Sequence, residues 1–205
     1  MRRLRATAAL ALVALAVLLA LAARDVLSWR YALSRGDARL RSAPAFARWH
    51  AAALLPGDPA RSVLGLDDDL ALRRAVRAYL VAEATPRGFD GGVAQARSRS
   101  AAEVVLTDLV ARGAPAAASQ AGDLFGVLVA KGGRTSGGIS ADDRARQAFE
   151  AAVRRDPTNT DAKYNLELLL RRTRATATRQ GPGNGSGALG HGRRGAGSGT
   201  PGRGY

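Results

Sequence analysis

The stretch AFEAAVRRDPTNTDAKYNLELLLRR, residues 148–172, decides the fold of this chain. It holds two runs with a helical pattern, and Pro157 between them cannot continue a helix. In the first run, Ala145, Phe149 and Ala152 recur at spacings of four and three, which puts them on one face of a helix. The stretch therefore predicts two helices that pack closely through small side chains and one aromatic ring.

Both predicted helices have a recognisable start. Ser140 to Asp143, in the sequence SADD, fits a capping box, in which a hydroxyl accepts a hydrogen bond from the backbone N–H three residues later. Asn159 is placed to cap the second helix in the same way, and Asp161 then lies in its first turn, where a negative charge complements the helix dipole. We therefore expect helices to begin directly after Ser140 and after Asn159.

The order of a small residue, an aromatic, a small residue and a proline resembles the second helix of a tetratricopeptide repeat. The following run resembles the first helix of the next repeat, although Lys163 stands where a large aromatic is usual and Glu167 where a small residue is usual. The resemblance covers about residues 145 to 172. The alternative is an ordinary amphipathic bundle without repeat ancestry. The resemblance implies that the repeat-packing residues are Ala145, Phe149, Ala152, Pro157, Tyr164, Asn165, Leu166 and Leu170.

Further helices are predicted upstream, and the scarcity of aromatic residues, at 5%, favours a helical core over a β-sandwich. The first begins at Asp67, Asp68 and Asp69, which suit a helix N-terminus, and its apolar stripe consists of Leu72, Val76, Tyr79 and Leu80. A metal site at the three aspartates is the alternative, but no histidine or second acidic cluster supplies the remaining ligands. Two more helices are expected over 93–112 and 116–131. The predicted class is all-α, with a helical domain over 67–174.

The N-terminal region predicts a membrane anchor. Residues 6–23 form an apolar run in which Thr7 is the only polar residue, and 18 residues of helix reach about 27 Å, close to the ~30 Å of a bilayer core. The small-x-small pattern of residues 20–22 also fits a signal peptide that is cleaved after residue 22. Aromatic rings at a membrane interface favour the retained anchor. The predicted membrane-interface residues are Arg2, Arg3, Arg5, Trp29 and Tyr31, although Trp29 and Tyr31 could instead pack within the soluble part.

The predicted localisation is the cell membrane, with a single pass. Arginines flank the apolar run on both sides, so counting charges does not favour either orientation. We expect a cytoplasmic N-terminus and an extracytoplasmic helical domain, because the basic flank at residues 1–5 is hard to translocate. Residues 24–66 are expected to form a juxtamembrane connector, and its turns are predicted from residue 34 onward around Pro44, Pro56, Gly57 and Pro59.

The charge balance favours anionic partners. The chain has 31 Lys+Arg against 17 Asp+Glu and a formal net charge of +14. Residues 175–205 are rich in glycine and arginine and are predicted to be disordered. Their only aromatic is Tyr205, whereas nucleic-acid-binding arms interleave aromatics for stacking, so nucleic acid is not the expected partner.

Nothing in the sequence predicts catalysis. There is no cysteine, and the two histidines, His50 and His191, lie outside the predicted core. We expect no catalytic residue, cofactor or metal. The first functional hypothesis is a membrane-anchored scaffold that binds another membrane or extracytoplasmic protein. The second is a binder of anionic polymers such as lipid head groups, cell-wall polymer or nucleic acid.

The order of the predicted segments carries a second resemblance. One anchor, a connector and a partial repeat ending in AKYNLELLL, residues 162–170, resemble bacterial membrane accessory proteins associated with MoxR-type AAA+ ATPases and von Willebrand A-domain proteins. This resemblance implies an assembly role and not a reaction.

Overall fold

A computed structural model of the chain describes residues 2–85, 92–132 and 140–179. These residues are all-helical and contain no strand, as the sequence predicted. A short 3₁₀ turn lies at Pro44–Phe46. The α-helices are α1 (Arg2–Ser42), α2 (Pro59–Val63), α3 (Leu66–Ala84), α4 (Gly92–Arg112), α5 (Pro115–Gly132), α6 (Ala141–Arg155) and α7 (Thr160–Arg179). Residues 175–179, which were predicted to belong to the disordered tail, are helical and form the end of α7, so that part of the prediction is wrong. The rest of the predicted tail, from residue 180 onward, lies outside the described residues, as do residues 133–139.

Helix α1 contains the apolar run and continues well past it. The run is exposed from residue 9 to residue 20, with side chains such as Leu10, Leu12 and Val17 more than half accessible. Among the described residues, α1 is the one helix long and apolar enough to cross a membrane. The helix continues without a break to Ser42, shortly before Pro44. The prediction of turns from residue 34 onward is therefore wrong for residues 34–42, because the first proline comes only after them.

The connector after α1 folds back along that helix. Asp25 is fully buried, and its carboxylate accepts hydrogen bonds from the backbone N–H groups of Leu54 at 2.9 Å and Leu55 at 3.0 Å. The indole N–H of Trp29 donates to Oδ1 of Asp58 at 2.9 Å. Trp29 is only 3% exposed, so it is not a membrane-interface residue. The connector covers its ring, which is the alternative left open by the sequence.

A second contact joins α1, the connector and α3. The backbone of α1 at Gly36 leaves no room for a side chain, because the indole ring of Trp49 lies directly against it. The Trp49 indole N–H donates to Oδ1 of Asp37 at 2.8 Å. Arg73 of α3 donates to both oxygens of the same carboxylate, at 2.8 and 3.1 Å, and its guanidinium lowers the pKa of Asp37. The C-terminal part of α1 is thus joined to α3 through the carboxylate of Asp37 and through the apolar cluster that Trp29 shares with Leu66 and Leu70.

Helices α3 to α7 pack through small residues. Alanines such as Ala75 and Ala102 lie at the contacts between α3, α4 and α5, around Leu106 and Leu128. Small side chains allow two helix backbones to approach closely. The predicted stripe of α3 is only half-buried, and Val104 of α4 points to solvent. A further cluster joins α5, α6 and α7, and its buried members are Val129, Ala141, Ala145, Phe149 and Leu169.

Candidate interaction groove

A very close contact in the helical domain lies between α5 and α6. The Phe149 ring lies over the backbone of α5 at Gly126, and Ala152 lies over Gly122. A Cβ atom built on Gly122 would be 3.3 Å from that of Ala152. Ala145, Phe149 and Ala152 are all buried, so the face predicted from their spacing is the face that packs. A glycine inside a helix costs stability and is usually kept where another group must approach the backbone closely. The glycine at position 126 is therefore a sequence signal from which this close approach could have been predicted.

Both predicted helix caps are present. The Ser140 hydroxyl accepts from the backbone N–H of Asp143 at 3.1 Å, and Oδ1 of Asn159 accepts from that of Ala162 at 3.0 Å. The amide of Asn159 also donates to Oγ of Ser119 at 2.9 Å. That hydroxyl in turn donates to the carbonyl of Ala152 at 2.8 Å. The cap of α7 therefore ties α5, α6 and α7 together, which sequence spacing alone did not predict.

A second polar contact connects α5 to α7. The amide of Asn165 donates to Oδ1 of Asp123 at 2.8 Å. Asp123 is buried, and burial raises the pKa of its carboxyl group, opposed by the hydrogen bond from Asn165 and reinforced by the nearby negative charge of Asp161. Asn165, predicted as a packing residue, is a polar link at the inner end of the space between α5 and α7.

The other predicted packing residues behave differently from one another. Pro157 occupies the turn between α6 and α7, and Leu166 is half-buried against the cluster around Phe149. Tyr164 is 66% exposed and Leu170 is also exposed, so the prediction that these two pack is wrong. Both side chains are accessible to solvent among the described residues.

An open groove lies between α5 and α7, with a volume of about 500 Å³. Its apolar lining includes Leu168, which is 54% exposed. The groove is wide enough for several apolar side chains and is open to solvent. The apolar residues that line it are Val127, Ala130, Phe149, Leu168 and Leu169.

Three cations stand at the rim of this groove, and each has an acidic partner. Lys131 pairs with Glu83 at 2.6 Å, which raises the pKa of the lysine. Arg171 pairs with Glu167 at 2.5 Å, and Arg172 pairs with Asp142 of α6. Cations that are already paired with acids attract an anionic ligand only weakly. The apolar lining of the groove would therefore contribute most of the binding energy for a ligand.

The aspartates at the start of α3 have structural partners. Asp67 pairs with Arg61 at 2.5 Å, and Asp69 pairs with Arg73. The described parts of the chain contain no group of three or more His, Asp or Glu side chains that could hold a metal ion. His50 is exposed on the connector, and His191 lies outside the described residues. Tyr31 is exposed on α1, while the side chains of Arg2, Arg3 and Arg5 are not among those described.

Comparison of the chain with protein-family models, with curated proteins and with solved structures gives no match.

Proposed function

We propose that this protein is a membrane-anchored, non-catalytic interaction module, and that the groove between α5 and α7 binds an apolar segment of a partner protein. The observation that carries the proposal is the open apolar floor, with Leu168 more than half exposed in the described structure. An exposed leucine in a concave, mainly apolar site is typical of grooves that accept the apolar face of a helix or peptide.

The proposed partner is another membrane or extracytoplasmic protein. The exposed apolar run of α1 supports a position at the membrane, and the paired rim charges favour a segment with apolar anchors and polar flanks. The sequence resemblance to tetratricopeptide repeats agrees with a scaffold role. Systems built on MoxR-type AAA+ ATPases and von Willebrand A-domain proteins are the first partners to test.

The orientation proposed from the basic N-terminal flank places the helical domain outside the cytoplasm. A reporter fused after Tyr205 that is active only in the cytoplasm should then give no signal, whereas one that is active only outside should work. The reverse result would place the groove, and its partner, in the cytoplasm.

The groove is tested by two exposed leucines of the same helix. Leu168 lines the groove, whereas Leu170 points away from it, and neither is in the buried core. A photo-crosslinking residue placed on the groove rim, with Leu168→Glu or Leu170→Glu as the second change, should capture a discrete membrane partner in the Leu170→Glu chain only. Equal capture by both variants would contradict the proposal.

The second candidate function is binding of an anionic polymer. It is favoured by the formal net charge of +14 and by the arginines of α1 that lack acidic partners among the described residues. Salt separates the two candidates, because electrostatic binding weakens steeply from low to physiological salt while apolar binding does not.

A further inference from the structure

One face of α1, beyond the apolar run, carries unpaired positive charge. Five exposed arginines lie on roughly half of the helix circumference, and none of them forms an ion pair with an acid of the described chain. We call this surface the basic face; its arginines are Arg24, Arg30, Arg35, Arg39 and Arg41.

The acids of the same helical segment do not neutralise the basic face. Asp25 is buried beneath the connector, where it accepts backbone hydrogen bonds from Leu54 and Leu55. Asp37 is held by Arg73 and Trp49, although Arg41 is close enough to contribute to the lowered pKa of Asp37. The fold thus uses both carboxylates on the covered side of α1 and leaves the arginines on the exposed side.

Two apolar side chains interrupt the basic face near the apolar run. Leu27 is 62% exposed and Tyr31 is 65% exposed, and at spacings of three and seven from Arg24 they share its side of the helix. An exposed leucine and tyrosine beside arginines is the composition of a surface that lies among lipid head groups.

Position along the helix decides which arginines can reach the membrane. At about 1.5 Å per residue, Arg24 follows the apolar run directly and Arg30 lies about 10 Å beyond it, whereas Arg39 and Arg41 lie about 24 and 27 Å away. The head-group layer extends roughly 5–8 Å beyond the hydrocarbon core on each side of the bilayer. Beyond that charged layer, electrostatic attraction decays within about 8 Å at physiological salt. Arg24 and Arg30 are therefore within range of head groups, and Arg39 and Arg41 are not.

We propose that the membrane-proximal end of the basic face, Arg24 and Arg30 with Leu27 and Tyr31, binds the anionic head groups of phospholipids around α1. The inference rests on the membrane insertion of α1, which is part of the proposed function, and is independent of the groove. A soluble polyanion would instead contact all five arginines along the helix, with similar contributions from the near and the far pair.

The experiment uses the full chain reconstituted in phosphatidylcholine bilayers that contain spin-labelled phosphatidylglycerol or spin-labelled phosphatidylcholine. Electron paramagnetic resonance gives the fraction of each labelled lipid held at the protein. We expect the protein to prefer phosphatidylglycerol over phosphatidylcholine several-fold. Each arginine can contribute at most about a fivefold preference, which corresponds to about 1 kcal/mol. Arg24→Gln/Arg30→Gln should remove most of this preference, and Arg39→Gln/Arg41→Gln, the matched control, should change it less than twofold.

A wild-type chain that inserts but shows no preference for phosphatidylglycerol would overturn the lipid proposal and leave the anchor intact. Equal losses in the two double variants would overturn it in favour of a soluble polyanion. A chain that alkaline carbonate extracts from the bilayer would overturn the anchor and the lipid proposal together. Unchanged thermal unfolding of both double variants shows that the fold is retained, since none of the four guanidinium groups forms a hydrogen bond or an ion pair in the described structure.

Discussion

The Phe149 ring lies so close to Gly126 that a methyl group on the glycine would stand 2.5 Å from Cε1 of the ring. We therefore expect Gly126→Ala to destabilise the helical domain by about 1–3 kcal/mol, as overpacking of a well-packed contact does. The better helix propensity of alanine offsets up to about 1 kcal/mol of this loss. Thermal unfolding of the full chain in detergent measures the difference.

The matched control is Gly92→Ala in α4, because a Cβ atom at Gly92 meets nothing within 4 Å. This variant should be as stable as the original chain or slightly more stable. A Gly126→Ala chain that unfolds at or above the wild-type temperature would show that α5 and α6 do not pack through this contact.

The two helix caps should contribute differently to the free energy of unfolding. Replacing Ser140 by alanine removes an exposed cap, which typically costs about 1 kcal/mol. Replacing Asn159 by alanine removes a cap and also leaves the buried hydroxyl of Ser119 without the amide that donates to it, so the loss should be larger by about 1 kcal/mol or more. Denaturant unfolding compares the two variants, and equal losses would contradict the buried role of Asn159.

Asp25 should hold the connector against α1. In Asp25→Ala the N–H groups of Leu54 and Leu55 lose their buried acceptor, which typically costs about 1–3 kcal/mol and should free this part of the connector. Hydrogen exchange of these two amides should accelerate strongly, while exchange in α5 and α6 stays unchanged. Asp68→Ala, at an exposed position in the first turn of α3, is the control. Unchanged exchange at Leu54 in Asp25→Ala would argue that the connector is held by other contacts.

The buried carboxyl group of Asp123 predicts a pH effect. Burial raises the pKa of this carboxyl group, so the folded state favours its neutral form. The stability that the carboxyl group contributes is therefore present below the unfolded-state pKa and is lost as the pH rises through the folded-state pKa. Asp123→Asn keeps an oxygen that can accept from Asn165 and removes the charge. The variant should be more stable than the wild type at neutral pH, and this advantage should shrink as the pH falls towards about 4.

Stability curves of the two chains over this pH range test the prediction, with Asp68→Asn as an exposed control that should show no comparable advantage at neutral pH. A pH-independent difference between Asp123→Asn and the wild type would mean that the carboxyl group titrates normally.

Local chemistry explains what the sequence alone could predict. The helices expected over 93–112 and 116–131 are α4 and α5 with shifts of about one residue, and the caps at Ser140 and Asn159 are where capping chemistry placed them. These features depend on neighbours within a few residues of each other. The buried face of α6 could be predicted for the same reason, because Ala145, Phe149 and Ala152 recur at the spacing of helical turns.

Contacts between residues that are far apart in the sequence could not be predicted from local patterns. The hydrogen bond from Leu54 to Asp25 joins residues 29 apart, and the packing of Trp49 on Gly36 has no local pattern. Tyr164 was predicted to pack because its motif fits a helix that has neighbours on both sides. Periodicity identifies the faces of a helix but not which of them another helix covers.

The unbroken course of α1 has a mechanical consequence. α1 contains no hinge between the apolar run and the segment that Asp25, Trp29 and Asp37 fix to the rest of the chain. Rotation of the apolar run about its own axis therefore turns the whole helical domain with it. One residue added within the run would swing the groove by about 100° around the helix axis, and seven would return it nearly to its starting azimuth. With the proposed insertion of the run in a bilayer, its helical phase would set the direction in which the groove faces along the plane of that bilayer.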